Sequence, residues 1–288
     1  MQRLESLLSQ FTTAFYSDNF SELLSLQESI QSACASDPLL TNLSLNNSEF
    51  AKFKEDSYFY EQSLSHLSNS DWELVSNHQD IIVESHYSGA DFYTRASVLI
   101  NATIFETLSV INEEDLLPSW IHPLSQVSVL SSPARFKKLM RYSFWFPWPL
   151  ANRECYLEFS AYPVPESQGM IIIMRSPKSE FLHVQLPPVT PDIERMSVPL
   201  GCLLVQYINP VLTKVSILVQ ANATEIRQSM LPEWLVNFGK KQMMYFLMDS
   251  LRISVMNFPG SEYENRVTNN PGFYSFLRKV LEKDVMIN

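Results

Sequence analysis

The chain has 288 residues, of which 45% are hydrophobic and 18% are charged, a composition typical of globular proteins. That length is enough for one large domain with an extra segment, or for two domains. The formal net charge is −10, and an acidic chain without a basic stripe argues against nucleic acid as a partner and against strong attraction to anionic membranes.

The N-terminal quarter is predicted to be helical. Apolar residues recur at helical spacing over 3–35, and the stretch Ser17-Asp18-Asn19 interrupts them, which indicates two helices. Residues 36–42 are predicted to form a loop, and a third helix is predicted over 48–67. Polar residues then cluster at 68–71, which is typical of a boundary.

From residue 72 onward the apolar residues alternate with a period of two, which is typical of strands. The predicted strands are 72–77, 80–87, 91–100, 134–146, 153–163, 168–175, 180–186, 196–208 and 212–221. Two short helices are predicted within 103–120, a long helix from Pro232 to about Met256, and a last helix over 273–284. Runs of strands with short links predict an antiparallel sheet, whose concave face the long helix has to cover.

The sequence offers little to support catalysis or metal binding. It contains no G-x-S-x-G, H-E-x-x-H, C-x-x-C or P-loop motif, and its histidines lack the spacing of metal ligands. We therefore expect no catalytic residue, no metal and no cofactor. The three cysteines are far apart and odd in number, which fits a reducing compartment. No stretch approaches the roughly 18 apolar residues of a membrane span, and the N-terminus does not resemble a signal peptide.

One apolar, aromatic-rich face repeats from strand to strand, and one side of the long helix matches it. By pattern alone a packed core is favoured, with an internal cavity as the alternative. The residues on these faces, together with Arg153 at their mouth, are Lys138, Met140, Tyr142, Phe144, Arg153, Cys155, Leu157, Phe159, Cys202, Leu204, Gln206, Val215, Ile217, Val219, Val236, Gly239, Met243, Phe246 and Leu247.

Three stretches follow one another along the chain: WELV at 72–75, FPWPLANREC at 146–155 and LPEWLVNF at 231–238. They resemble the first strand, the P-L-x-N-R-[DE] corner and the P-x-W-L-V-N helix opening of the START (StAR-related lipid transfer) family, within the superfamily of START-like polyketide cyclases and lipid transport proteins. The resemblance covers about 72–256. The sequence departs from the family at 221–230, where many members carry an Asp and a Gly-Gly pair.

The resemblance implies an α+β helix-grip fold, in which a curved antiparallel β-sheet wraps around a long C-terminal helix. It implies three parts: an N-terminal helical segment (1–71), a START-like lipid-binding domain (72–256) and a C-terminal extension with a short helix (257–288). The faces described above would then line a tunnel for a lipid. Lys138, Tyr142, Arg153 and Gln206 are the candidate polar groups inside it, with Arg153 either pairing with an acidic neighbour or meeting a headgroup.

The expected function is non-catalytic binding, and intermembrane transfer, of a sterol, a phospholipid or a ceramide-like lipid. We expect a cytoplasmic protein in transient contact with membranes, with Phe144, Trp145, Phe146 and Trp148 either inserting there or buried in the corner. An interaction protein that binds a partner through 1–71 is the first alternative. The competing role for these helices is a structural one, which is to cover the outside of the sheet. A cyclase or hydrolase of the same superfamily is the second.

Overall fold

The computed structural model describes residues 1–35, 38–89, 91–146, 151–190, 193–222 and 242–285. Within these ranges the helices are α1 (Gln2–Ser17), α2 (Phe20–Cys34), α3 (Pro38–Leu45), α4 (Ser48–Ser68), α5 (Ile104–Asn112), α6 (Met244–Met256), α7 (Glu262–Asn269) and α8 (Pro271–Lys283), with a 3-10 helix at Glu114–Ser119. None of the helices in these ranges is long and apolar enough to cross a membrane.

The strands of the described ranges form one large sheet and a small two-stranded one. They are β1 (Glu73–His78), β2 (Ile81–Ser88), β3 (Asp91–Ile100), β4 (Leu124–Ala134), β5 (Lys137–Phe144), β6 (Asn152–Val164), β7 (Gly169–Arg175), β8 (Glu180–Phe181), β9 (Val184–Gln185), β10 (Ile193–Met196), β11 (Gly201–Asn209) and β12 (Leu212–Asn222). The large sheet runs β1-β2-β3-β12-β11-β7-β6-β5-β4 in antiparallel pairs, and β10 adds to β6 in parallel. The predicted α+β class is confirmed.

Several elements differ from the prediction. The strand predicted over 180–186 is instead the two paired short strands β8 and β9, and the strand predicted from residue 196 begins at Gly201. Residues 36–42 were predicted to be a loop, but α3 begins at Pro38, a residue suited to the first turn of a helix. Strand β4 was not predicted, because its sequence is rich in serine and contains Pro133 near its end. A proline is tolerated there because β4 is an edge strand of the sheet. No element was predicted between the long helix and the last helix, but α7 lies there.

The sheet has an outer face that the N-terminal helices cover. Phe20 of α2 and Phe53 of α4 both pack edge-on against Tyr162 of β6, with ring centroids 5.9 Å apart in each case. The hydroxyl of Tyr162 donates to Asp56 of α4 at 2.7 Å. Helices α1, α2 and α4 thus share one hydrophobic core with the sheet.

The opposite, inner face carries α5, α6 and α8. Helix α5 begins at a capping box in which Thr103 and Glu106 satisfy each other's backbone N–H groups. Helix α6 packs across β2 and β3 and buries Met248, Leu251 and Val255. The predicted long helix begins at 232, and the portion before residue 242 lies outside the described residues.

Candidate functional site

A cavity of about 340 Å³ lies between the inner face of the sheet and the helices that cover it. Strands β5, β6, β7, β11 and β12 form one wall, and α5, the 3-10 helix, α6 and α8 form the other. The described lining is almost wholly apolar, and it includes Phe136, Phe159, Ile172, Leu203 and Met248. Apolar enclosure with a few polar groups is typical of small-molecule sites.

Strand β5 forms one long wall of the cavity. Its alternate residues Lys138, Met140, Tyr142 and Phe144 all line it, because successive side chains of a strand point to opposite faces. Of the residues predicted from the sequence, the following line the cavity: Lys138, Met140, Tyr142, Phe144, Leu157, Phe159, Ile217, Val219, Met243 and Leu247.

The predicted inner face of β11 is wrong. Leu203, rather than Cys202, Leu204 or Gln206, lines the cavity, and a Cβ added at Gly201 would lie 2.7 Å from the Met174 side chain on that same wall. Cys202, Leu204 and Gln206 therefore point to the outer face. That face is apolar too, because α4 covers the neighbouring strands, so alternation could not tell the two faces apart.

Four further predicted residues do not line the cavity. Arg153 pairs with Glu194 at 2.8 Å, which is the structural alternative for this residue. Cys155 is on the inner face but packs beyond the cavity, and burial raises the pKa of its thiol to about 12. Val215 is fully buried in the core, and Phe246 is half exposed. Val236 and Gly239 lie outside the described residues.

An ion pair lies in the described part of the cavity wall. Lys138 Nζ lies 3.0 Å from Glu114 Oε2 and 3.1 Å from Asn112 Oδ1. Both charged side chains are about one-fifth exposed (17% and 21%). A charged group in an apolar wall is tolerable when it is paired and hydrogen-bonded. Glu114, the first residue of the 3-10 helix, and Lys138 of β5 therefore neutralise each other by direct contact within the wall.

Tyr142 presents a further polar group to the cavity. Burial, followed by the nearby Glu114 and Cys155, raises the pKa of its phenol well above the usual range, so the hydroxyl stays uncharged. Within the described part of the chain, no group forms a hydrogen bond with Tyr142 Oη, while the ring packs 5.9 Å from that of Phe159. The hydroxyl is thus available to a ligand.

Several lining residues were not predicted. Leu108 and Ile111 come from α5, Trp120 from the turn after the 3-10 helix, and Phe273 and Leu277 from α8. The i, i+4 spacing of Phe273 and Leu277 could have indicated a buried helix face. It could not have indicated a cavity, because the resemblance to a known family ends before residue 258.

Comparison with family models and with curated proteins finds no match. Comparison with solved structures finds human STARD10, with a TM-score of 0.63 and 17% identity over 78% of this chain and 88% of that chain. Human StAR-related lipid transfer protein 5 is similar with a TM-score of 0.62 and 13% identity, over 71% of this chain and 96% of that chain. A STAR-related lipid transfer protein fragment from Xanthomonas axonopodis has a TM-score of 0.52 and 13% identity, over 65% and 99%. At these identities the likeness establishes a START-like fold.

Proposed function

We propose, from the START-like fold and its apolar cavity, that the protein binds one hydrophobic lipid molecule and carries it between membranes without changing it chemically. The observation that carries the proposal is the cavity itself, walled by apolar side chains of the sheet and of the helices that cover it. The ligand is a sterol, a phospholipid or a ceramide-like lipid, and loading requires transient contact with a membrane.

Removal from water supplies the binding free energy. Each buried methylene contributes about 0.8 kcal/mol, so a dozen contribute on the order of 10 kcal/mol. The volume of about 340 Å³ is near the lower end of the range for ligand pockets, about 300–1,000 Å³. That size favours a sterol or a single acyl chain over a lipid with two long chains enclosed side by side.

The polar end of the ligand is expected to meet Tyr142. Its hydroxyl faces an apolar cavity, and an unpaired polar group there is costly, so a ligand hydroxyl or carbonyl that bonds to it is favoured. Lys138 is less available to a ligand, because its ammonium group already donates hydrogen bonds to Glu114 and Asn112. The variant Tyr142→Phe should lower the affinity for a hydroxylated lipid by about 3- to 10-fold, the value of one hydrogen bond.

The charges of the described wall support binding without catalysis. Lys138 and Glu114 pair with each other, and the guanidinium of Arg135 lies 4.6 Å from the ring centroid of Phe276. The raised pKa of Tyr142 makes its phenol a poor base at neutral pH. Incubation with a bound lipid should therefore return the lipid with its mass unchanged, and a changed mass would favour an enzyme of the same superfamily.

Contact with a membrane is proposed to involve Trp145. This residue follows Phe144 at the cavity wall, and 58% of its surface is exposed. Indole rings are favoured at the interface between lipid and water. Trp148, expected in the same role, lies outside the described residues. The variant Trp145→Ala should slow lipid uptake from vesicles while leaving the capacity of the cavity unchanged.

The proposal is tested by lipid transfer between donor and acceptor vesicles. Ala161 lines the cavity, so Ala161→Trp should fill it and abolish transfer. Leu99 lies on the outer face opposite Lys214, and it is 49% exposed. The matched variant Leu99→Trp should transfer lipid as the wild type does. Equal transfer by both variants would overturn the proposal that the ligand travels in this cavity.

A further inference from the structure

Helix α8 forms part of the cavity wall although it lies beyond the segment that resembles START proteins. Phe273 and Leu277 line the cavity and are four residues apart, which places them on one face of the helix. Leu277 is only 2% exposed. The C-terminal helix is therefore an additional wall rather than a separate appendage.

Aromatic contacts hold this wall against the start of β5. The ring of Phe136 lies 5.9 Å from that of Phe273 and 5.6 Å from that of Phe276. Phe136 itself lines the cavity. The guanidinium group of Arg135, the residue before Phe136, lies 4.6 Å from the ring centroid of Phe276. The position of α8 is thus determined by the same turn that begins the long wall.

Polar contacts also hold α7 and α8 against α5 and the residues that follow it. Tyr274 donates a hydrogen bond to Glu113 at the end of α5, and Arg266 of α7 donates to Asp115 Oδ2 at 2.8 Å. The guanidinium carbon of Arg278 lies 3.6 Å from the ring centroid of Phe105. These contacts tie α7 and α8 to α5 and to the 3-10 helix that follows it, which both line the cavity, so the wall is fixed on two sides.

Helix α8 lies at one end of the cavity, where it limits the length of a bound ligand. The cavity follows the chain from Phe136, just before β5, to Phe144 at the end of β5, about 26 Å at roughly 3.3 Å per residue. Helix α8 closes the Phe136 end through Phe273 and Leu277. A ligand lying along β5 would meet these two side chains with one of its ends. The charged groups nearest that end are already engaged, Lys138 with Glu114 and Arg135 with the ring of Phe276. The end wall itself is made of the apolar side chains Phe136, Phe273 and Leu277, so the end that fits there is a hydrocarbon tail.

We propose that Phe273 and Leu277 determine how long a lipid tail the cavity accepts, an inference that rests on the proposed function. Leu277→Ala removes three carbon atoms from the end wall and makes room for a longer tail. Each additional enclosed methylene should improve the relative affinity about 4-fold, since its burial is worth about 0.8 kcal/mol. Leu277→Phe should have the opposite effect and favour shorter tails.

The test measures which lipids each variant removes from mixed vesicles. The vesicles contain phosphatidylcholines and ceramides of graded acyl length and sterols with side chains of graded length, and the bound lipid is identified by native mass spectrometry. Leu281→Ala is the matched control. Leu281 is on the same helix, one turn further, and 5% exposed, but it is not among the residues that line the cavity.

The expected result is a shift to longer tails in Leu277→Ala and Phe273→Ala, a shift to shorter tails in Leu277→Phe, and a wild-type profile in Leu281→Ala. If an alanine variant does not fold, the Leu277→Phe shift still decides the matter. An identical profile in every folded variant would overturn the inference and leave the proposed function standing. A wild-type protein that removes no lipid would overturn both.

Discussion

The ammonium group of Lys137 lies 2.8 Å from Oδ1 of Asp18, and both side chains are completely shielded from solvent. Asp18 sits between α1 and α2 in a left-handed backbone conformation, with φ of 54°. Its second carboxylate oxygen accepts the backbone N–H of Arg135 at 2.8 Å. One acidic residue thus joins the N-terminal helices to the turn before β5, the strand that forms the long cavity wall.

Removing this carboxylate should destabilise the whole protein. Asp18→Ala leaves the Lys137 charge buried without its partner, which costs about 3–5 kcal/mol in the free energy of unfolding. Glu28→Ala, at an exposed position of α2, should change it by less than about 0.5 kcal/mol. Urea unfolding of the two variants compares them, and a small effect of Asp18→Ala would mean that the N-terminal helices are not coupled to the sheet through this contact.

A second prediction concerns Lys138, whose side chain lies on the face of β5 opposite to that of Lys137 and lines the cavity. Lys138→Met leaves Glu114 unpaired in the cavity wall and should lower the free energy of unfolding by about 1–2 kcal/mol. The double variant with Glu114→Met should recover most of that loss, since replacing both partners by apolar groups can be nearly neutral.

Lys178→Met, at an exposed position, serves as the control for loss of a lysine. Chemical denaturation measures the stabilities, and vesicle binding measures the lipid affinity. The double variant should keep its affinity for an uncharged lipid. A double variant less stable than Lys138→Met alone would show that the ion pair does not account for the position of these side chains.

The two faces of β11 allow a matched comparison. Leu203 and Leu204 are neighbours with similar exposure, 8% and 6%, but only Leu203 lines the cavity. Truncating either to alanine should cost about 2–5 kcal/mol of stability. Only Leu203→Ala should change which lipids are bound. Equivalent lipid profiles in the two variants would argue that the ligand does not touch this wall.

A fourth prediction concerns pH. Burial opposes the ionisation of Glu154, but hydrogen bonds and charges from Arg195 and Arg141 outweigh it and lower the pKa below the usual 4.5. A lowered pKa in the folded state contributes stability that is present above about pH 4.5 and is lost as the pH falls through the folded-state value. Glu154→Gln should remove that part of the acid dependence.

Thermal unfolding followed between neutral pH and the acid limit measures this effect. The wild type should lose stability more steeply than Glu154→Gln as the pH falls below 4.5. Parallel curves would mean that Glu154 does not contribute to the acid dependence. Glu166→Gln is the control, because Glu166 is exposed and forms no ion pair with another of the described residues.

The sequence predicted the parts of the site in which one face of a strand differs from the other. In β5, Lys137 and Arg141 alternate with Met140 and Tyr142, so the apolar inner face stood out, and the structure places it against the cavity. In β11 the α4 helix makes the outer face apolar as well, and the alternation lost its meaning. A covering layer outside the sheet is a tertiary feature that a strand's own residues do not encode.

The contribution of the last helix was missed for a different reason. The apolar spacing of Phe273, Leu277 and Leu281 correctly predicted α8. What it packs against depends on Phe136, Phe105 and Glu113, which are more than a hundred residues away in sequence. Such long-range contacts could not be deduced from periodicity, and the family resemblance did not extend to them.

The most direct measurement is native mass spectrometry of the purified protein, followed by extraction and identification of any bound lipid. A stoichiometric adduct that dissociates to a hydrophobic lipid, and that is absent from Ala161→Trp, is the expected result. A protein that shows only its own mass, even after incubation with vesicles of mixed sterols, ceramides and phospholipids, would mean that the cavity does not hold a lipid. Attention would then turn to residues 1–71 as a surface for a protein partner.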